Sequence, residues 1–215
     1  MRLLNIQRIV GFVLTSLLIV AGGAVAESQS AFTTYNLKHG ITIKIPKHWQ
    51  ILNKQITDTL GASTEAMTGN EQGNADIVIA ANYYEDDSGI VAASANVTVK
   101  IGKTASQNNI KSMTQSALDV EADKAYKAVR PIIEKSGDGK TRISRIKMVK
   151  EGISGYIAIR TDYQQIRTDR TLNVVSYNIY LGDKLIKATL TCDAAQKNLL
   201  EPTINAIKKS IKIRI

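Results

Sequence analysis

Cysteine is almost missing from this sequence: Cys192 stands alone, so the chain can form no disulfide of its own. A domain without bridges has to rest on an apolar core. Cys192 ends an alternating strand, which predicts a small buried residue and not a nucleophile. Histidine is nearly as scarce, with only His39 and His48. Nine residues along a straight strand would hold them about 30 Å apart, so they are expected at strand ends and not in one metal site. Tryptophan occurs once, at Trp49, and proline three times. No lysine or arginine run is dense enough to argue for nucleic acid. No nucleophile elbow, zinc signature or dinucleotide fingerprint occurs, so neither a cofactor nor a catalytic residue is predicted.

Long apolar runs are also lacking, apart from the N-terminus. Arg2 and Arg8 precede an apolar run from Ile9 to Val20, and Ala24-Val25-Ala26 supplies small residues where a signal peptidase cuts. The pattern predicts a signal peptide over 1–26, cleaved near Ala26, and a periplasmic or secreted product. The alternative is a retained anchor, because Ile9 to Ala26 is 18 residues, the lower limit for a span. Without 1–26 the chain keeps 189 residues, one domain's worth, and its net charge falls from +9 to +7. That surplus favours anionic partners, although a solvated basic surface explains it as well.

What is present is strand alternation. Ile41, Ile43 and Ile45 alternate with Thr42 and Lys44, and Pro46, which has no amide to donate, ends that strand. Phe32 to Leu37 pairs with it through Lys38-His39-Gly40, where Gly40 supplies a positive φ. Trp49 is placed to close the core. Gln50 to Asn53 reads as a short extended piece, Asp58 to Met67 as a helical segment, and Ala75 to Tyr84 and Ile90 to Ile101 as strands. The period then changes. Ile110, Met113, Ala117, Leu118, Ala122, Ala125, Val129, Ile132 and Ile133 predict one long helix over 106–135, capped by Ser106 or Thr104 and kinked or ended near Pro131. Thr141 to Val149, Tyr156 to Tyr163, Arg170 to Leu181 and Lys184 to Cys192 predict an antiparallel meander, with turns at Glu151-Gly152 and Gly182-Asp183. A last helix, N-capped by Asp193, carries the stripe Leu200, Ile204, Ile207 and Ile211, with Pro202 in its first turn. Fold class follows: α+β, an antiparallel sheet flanked by helices.

Few residues invite chemistry. Tyr156, Tyr163, Tyr177 and Tyr180 gather in the meander and form a candidate ligand groove, although tyrosine also simply suits a half-buried sheet. Lys208, Lys209, Lys212 and Arg214 form a candidate anionic-surface contact, with Ile207, Ile211 and Ile215 free to face lipid. Glu85-Asp86-Asp87 reads as a solvated hairpin tip and not a calcium loop. Gly137-Asp138-Gly139-Lys140 lacks the context of a phosphate loop and reads as a connector.

The strand Ile43-Lys44-Ile45-Pro46 with Trp49 soon after it, and the ending Ala188-Thr189-Leu190-Thr191 then Ile207-Lys208-Lys209-Ser210-Ile211-Lys212, resemble the PsbP-like superfamily. That superfamily includes the extrinsic photosystem II subunit, a Ran-binding nuclear import factor and bacterial DcrB-like envelope proteins, of which the exported bacterial branch is the nearer comparison. The resemblance implies an α/β/α sandwich and an accessory or binding role without a catalytic set. The expected function is a non-catalytic envelope binding or accessory protein whose partner is an envelope protein, a small ligand or an anionic membrane surface. The alternatives are a hydrolase-type enzyme with an unrecognised polar site and a peripheral membrane protein using a basic C-terminal helix.

Overall fold

The computed structural model describes residues 31–53, 75–85, 89–136 and 140–214. The expected signal peptide over 1–26, the expected helical segment 58–67, Asp86-Asp87, Gly137-Asp138-Gly139 and Ile215 fall outside these residues. The strands are β1 (Phe32–Asn36), β2 (Ile41–Pro46), β3 (Gln50–Ile51), β4 (Ala75–Tyr84), β5 (Val91–Ile101), β6 (Arg142–Ile143), β7 (Lys147–Ile153), β8 (Tyr156–Ile166), β9 (Thr171–Tyr180), β10 (Lys184–Asp193) and β11 (Lys212–Ile213). The helices are α1 (Gln107–Ser112), α2 (Gln115–Ser136) and α3 (Lys197–Ser210).

Among the described residues the strands form two sheets. The large one runs β3-β4-β5-β10-β9-β8-β6, with β7 also paired to β8, and every pairing is antiparallel. The expected four-strand meander is present as β7-β8-β9-β10, except that the strand expected over Thr141 to Val149 is two, β6 and β7, which both pair with β8; β10 then pairs with β5 across the helical insertion. The small sheet, β1-β2-β11, joins the two ends of the described chain. One face of the large sheet carries Ala81, Ala93, Ala95, Val97, Ala158, Ala188 and Leu190. These short side chains leave room for Ile41, Ile43 and Ile45 of β2 and for Leu200 and Ile207 of α3, all buried in one core with them. On the opposite face Ile110 of α1 and Leu118 of α2 pack with Ile159, Ile157 and Tyr180. Helices therefore cover both faces, and the small sheet shares one of them with α3.

Several sequence expectations are corrected. The long helix is two helices. Met113 is extended (φ −61°, ψ 133°), and Thr114 Oγ1 accepts from the Ala117 amide at 3.2 Å, which caps a new start. Lys150 Nζ fixes the break by donating to Lys111 O and Met113 O at 3.0 and 2.8 Å. Ser106 caps α1 in a reciprocal pair with Asn109, while Thr104 bonds Lys184 O instead. Pro131 does not end α2, and Ala117 and Val129 of the expected stripe are exposed. The β7–β8 turn is Ser154-Gly155 and not Glu151-Gly152. Both turn residues have positive φ, 52° and 82°, the geometry of a two-residue hairpin. Asp193 caps only the turn ahead of α3 by accepting from the Ala195 amide, and Pro202 lies inside the helix.

Gly40 is needed twice over. Its φ is +70°, and a Cβ there would sit 1.9 Å from Arg214 O. The Arg214 amide donates to Gly40 O at 2.9 Å, so the end of the chain is held against the first hairpin. Trp49 closes the core as expected: it is 4% exposed and stacks on Tyr83 at 6.1 Å between ring centroids.

Candidate functional site

α3 lies on the large sheet through Leu200 and Ile207, and its adjacent stripe (Lys197, Glu201, Ile204, Asn205, Lys208) overhangs a cleft of about 600 Å³. The floor comes from three strands in register: Arg160 opposite Tyr177, Asp162 opposite Val175, and Gln164 opposite Asn173. Leu190 and Cys192 of β10 complete it. The size suits a small-molecule ligand.

The strand period explains the cleft's chemistry. On β8 the inward positions run Ala158, Arg160, Asp162, so apolar alternation gives way to charge just past the end of the core. Arg160 Nε lies 2.8 Å from Asp162 Oδ1, and Arg160 Nη1 lies 3.2 Å from Glu151 Oε2. Lys208 Nζ reaches Glu151 Oε1 at 2.9 Å and sits 5.9 Å from the Tyr177 ring centroid. Burial alone would raise the Glu151 carboxyl, but the hydrogen bonds and charges of Lys208 and Arg160 outweigh it and hold the group below its ordinary value. The Arg160 guanidinium is pushed up, first by its hydrogen bond to Asp162. The Tyr177 phenol is raised to about 12, by burial first and then by the Glu151 charge.

Five cations (Arg145, Lys147, Arg160, Lys197 and Lys208) and two carboxylates (Asp162 and Glu201) line the cleft, while Glu151 pairs with Arg160 and Lys208 without lining it itself, so the cleft presents a positive potential to an incoming group. Arg145 is partly committed to Asp123 at 3.0 Å and lies over the Tyr126 ring at 4.6 Å. Cys192 touches the cleft, but burial raises its thiol above the ordinary value and so disfavours a thiolate. His39 lies in the turn ahead of β2, and His48 meets Tyr83 edge-on at 5.4 Å. Neither borders the cleft. Among the described residues no group of histidine, cysteine and acidic side chains is arranged to hold a metal.

Of the four tyrosines expected to share a groove, Tyr163 and Tyr177 border this cleft. Tyr156 instead packs against the main core and Tyr180 against the α1–α2 cluster, on the other side of the sheet. The basic set divides too. Lys208 is spent on Glu151, Lys209 is exposed on α3, and Lys212 and Arg214 come after the helix, in and beyond β11. Ile207 and Ile211, expected to be free for lipid, are 0% and 2% exposed, so the helix has no spare apolar face there. The residues that organise the cleft, Glu151, Arg160 and Asp162, were missed by sequence reasoning. Their signal was charge at two successive inward positions of β8.

These layers and this strand order define a PsbP-like α+β fold. The solution structure of cyanobacterial PsbP (CyanoP) from Synechocystis sp. PCC 6803 matches with a TM-score of 0.53 at 10% identity, over 93% of this chain and 99% of that one. LpqN, described as involved in cell envelope biogenesis of Mycobacterium tuberculosis, matches at 0.47 and 11% identity, over 86% and 91%. At such identities the likeness is one of fold, and it does not single out the DcrB-like branch. No protein-family model matches the sequence, and no curated protein matches it.

Proposed function

We propose that this chain is an exported, non-catalytic accessory protein of the bacterial envelope that holds a small ligand or a partner segment in the cleft beneath α3. The observation that carries the reading is the state of the cleft's charges. Arg160, Glu151, Asp162 and Lys208 neutralise one another across three elements, so these four build a polar wall and do not act as a free acid or base, while Glu201 stands at the exposed helix side of the cleft. Lys147 and Lys197 remain to attract an anionic group, and Val175, Leu190 and Ile204 offer it an apolar bed. The signal-like sequence at 1–26 supports export. Native mass spectrometry of the protein purified from an envelope fraction tests the proposal. A ligand-bound mass is expected, and it should disappear in Asn205→Trp, which fills the cleft from the helix side. Turnover of a model ester or glycoside by the wild type, lost in Glu151→Gln, would replace this reading with an enzymatic one.

A further inference from the structure

Two acid-free stretches of the sequence, one near each end, come to lie side by side. Residues 28–57 contain no aspartate or glutamate, and neither do residues 202–215. The first stretch supplies β1 and β2 and the second the end of α3 and β11, and the β2–β11 pairing zips them together. Alternation turns Ile41, Ile43 and Ile213 into the core and turns Thr42, Lys44 and Lys212 outward, with Lys212 directly opposite Thr42. Thr34 and Asn36 of β1 face the same way, opposite Lys44 and Thr42. The Lys44 amide donates to Ser210 Oγ at 2.8 Å, which brings the C-terminal turn of α3, with exposed Lys209, to the edge of that face. Lys38 and Arg214, both exposed, lie at the rim where Gly40 meets the chain's end. Among the described residues none of these five cations is in an ion pair; the lysines that are, such as Lys124, Lys127 and Lys208, lie elsewhere.

We propose that the outer face of the β1-β2-β11 sheet, through Lys38, Lys44, Lys209, Lys212 and Arg214, docks on an anionic phospholipid surface. Charge complementarity is the first argument, because an acid-free face offers an anionic bilayer no repulsion. Shape is the second. The cations are spread over a three-stranded face with hydroxyl and amide side chains between them, which fits many headgroups at once. At its rim Lys38 also lines, with Tyr35 and Leu37, a cleft of about 360 Å³ that includes Asp76 of β4, so the other four cations carry most of the face's charge. The face is separate from the cleft beneath α3, so either assignment can fail without the other.

Flotation of the chain comprising residues 27–215 with vesicles of phosphatidylcholine, with and without about one-third phosphatidylglycerol, tests the proposal. Binding is expected only with phosphatidylglycerol and should weaken when salt is raised from about 50 to about 300 mM. Each cation removed should lower partitioning about fivefold. The triple variant Lys44→Gln, Lys209→Gln, Lys212→Gln should therefore bind roughly a hundredfold less while melting like the wild type. A charge-matched control, Lys124→Gln, Lys127→Gln, Arg130→Gln on α2, should keep most of its binding. Equal losses in both triples, equal binding to neutral vesicles, or no flotation at low salt would each overturn the proposal. So would capture by soluble polyphosphate alongside failure on vesicles.

Discussion

Gly40 and Trp49 are the residues on which the start of the domain depends, for different reasons. Gly40 combines a positive φ with backbone contact to Arg214, whereas Gly155 has a positive φ and open space around its Cα. Gly155→Ala should cost about 1 kcal/mol from the left-handed backbone alone. Gly40→Ala adds a clash with a carbonyl that cannot swing away, so it should cost clearly more, about 3 kcal/mol, in urea melts. Equal losses would mean that the end of the chain is not held where β2 and β11 place it. Trp49→Ala should cost on the order of 3–5 kcal/mol through the cavity it leaves. Trp49→Phe should cost much less, because among the described residues the buried Trp49 Nε1 has no hydrogen-bond partner that phenylalanine would forfeit. Glu151 brings a pH dependence. Its carboxyl is held below the ordinary value in the fold, so its ion pairs stabilise the protein above the ordinary carboxylate range. That contribution is lost as acid protonates the group, from about pH 5 downward. Glu151→Gln should therefore lower stability at pH 7 by about 1 kcal/mol or less, since the site is partly solvated. The gap from the wild type should narrow steadily as acid protonates the group and close once the pH is below its depressed value, and a gap that does not narrow in acid would contradict the assignment.

Elements were legible wherever burial enforces a period. The three isoleucines of β2, the stripe of α3 and the Gly182-Asp183 turn all follow from one-sided contact with the core. The failures fall where a local hydrogen bond overrides that period. Ile110 and Leu118 are both buried at helical spacing, so the sequence cannot show that Thr114 and Lys150 break the helix between them. The Ser154-Gly155 turn lost out to Glu151-Gly152 because an acidic residue next to glycine resembles a turn in composition, although Glu151 is required inside β7 to reach Arg160 and Lys208. Lys150→Ala should loosen the α1–α2 junction. Faster amide exchange confined to residues 110–118 would show it, whereas loosening spread along β7 would point to a strand defect.

At the scale of the molecule, composition and alternation were enough to reach an antiparallel sheet covered by helices, and the short motifs around Pro46 and Trp49 pointed to the PsbP-like fold that the CyanoP comparison bears out. The cleft was only half legible, because it depends on which strands become neighbours. Tyr163 and Tyr177 share it, while Tyr156 and Tyr180, identical in local sequence signal, are directed elsewhere by register. Glu151, Arg160 and Lys208 come from three elements and converge only once β7, β8 and α3 are packed. The most direct test of the binding assignment is native mass spectrometry of the envelope-purified protein beside its Asn205→Trp variant. A defined extra mass on the wild type that the variant lacks is the predicted result. Identical bare masses, or the same extra mass on both, would contradict a ligand held beneath α3.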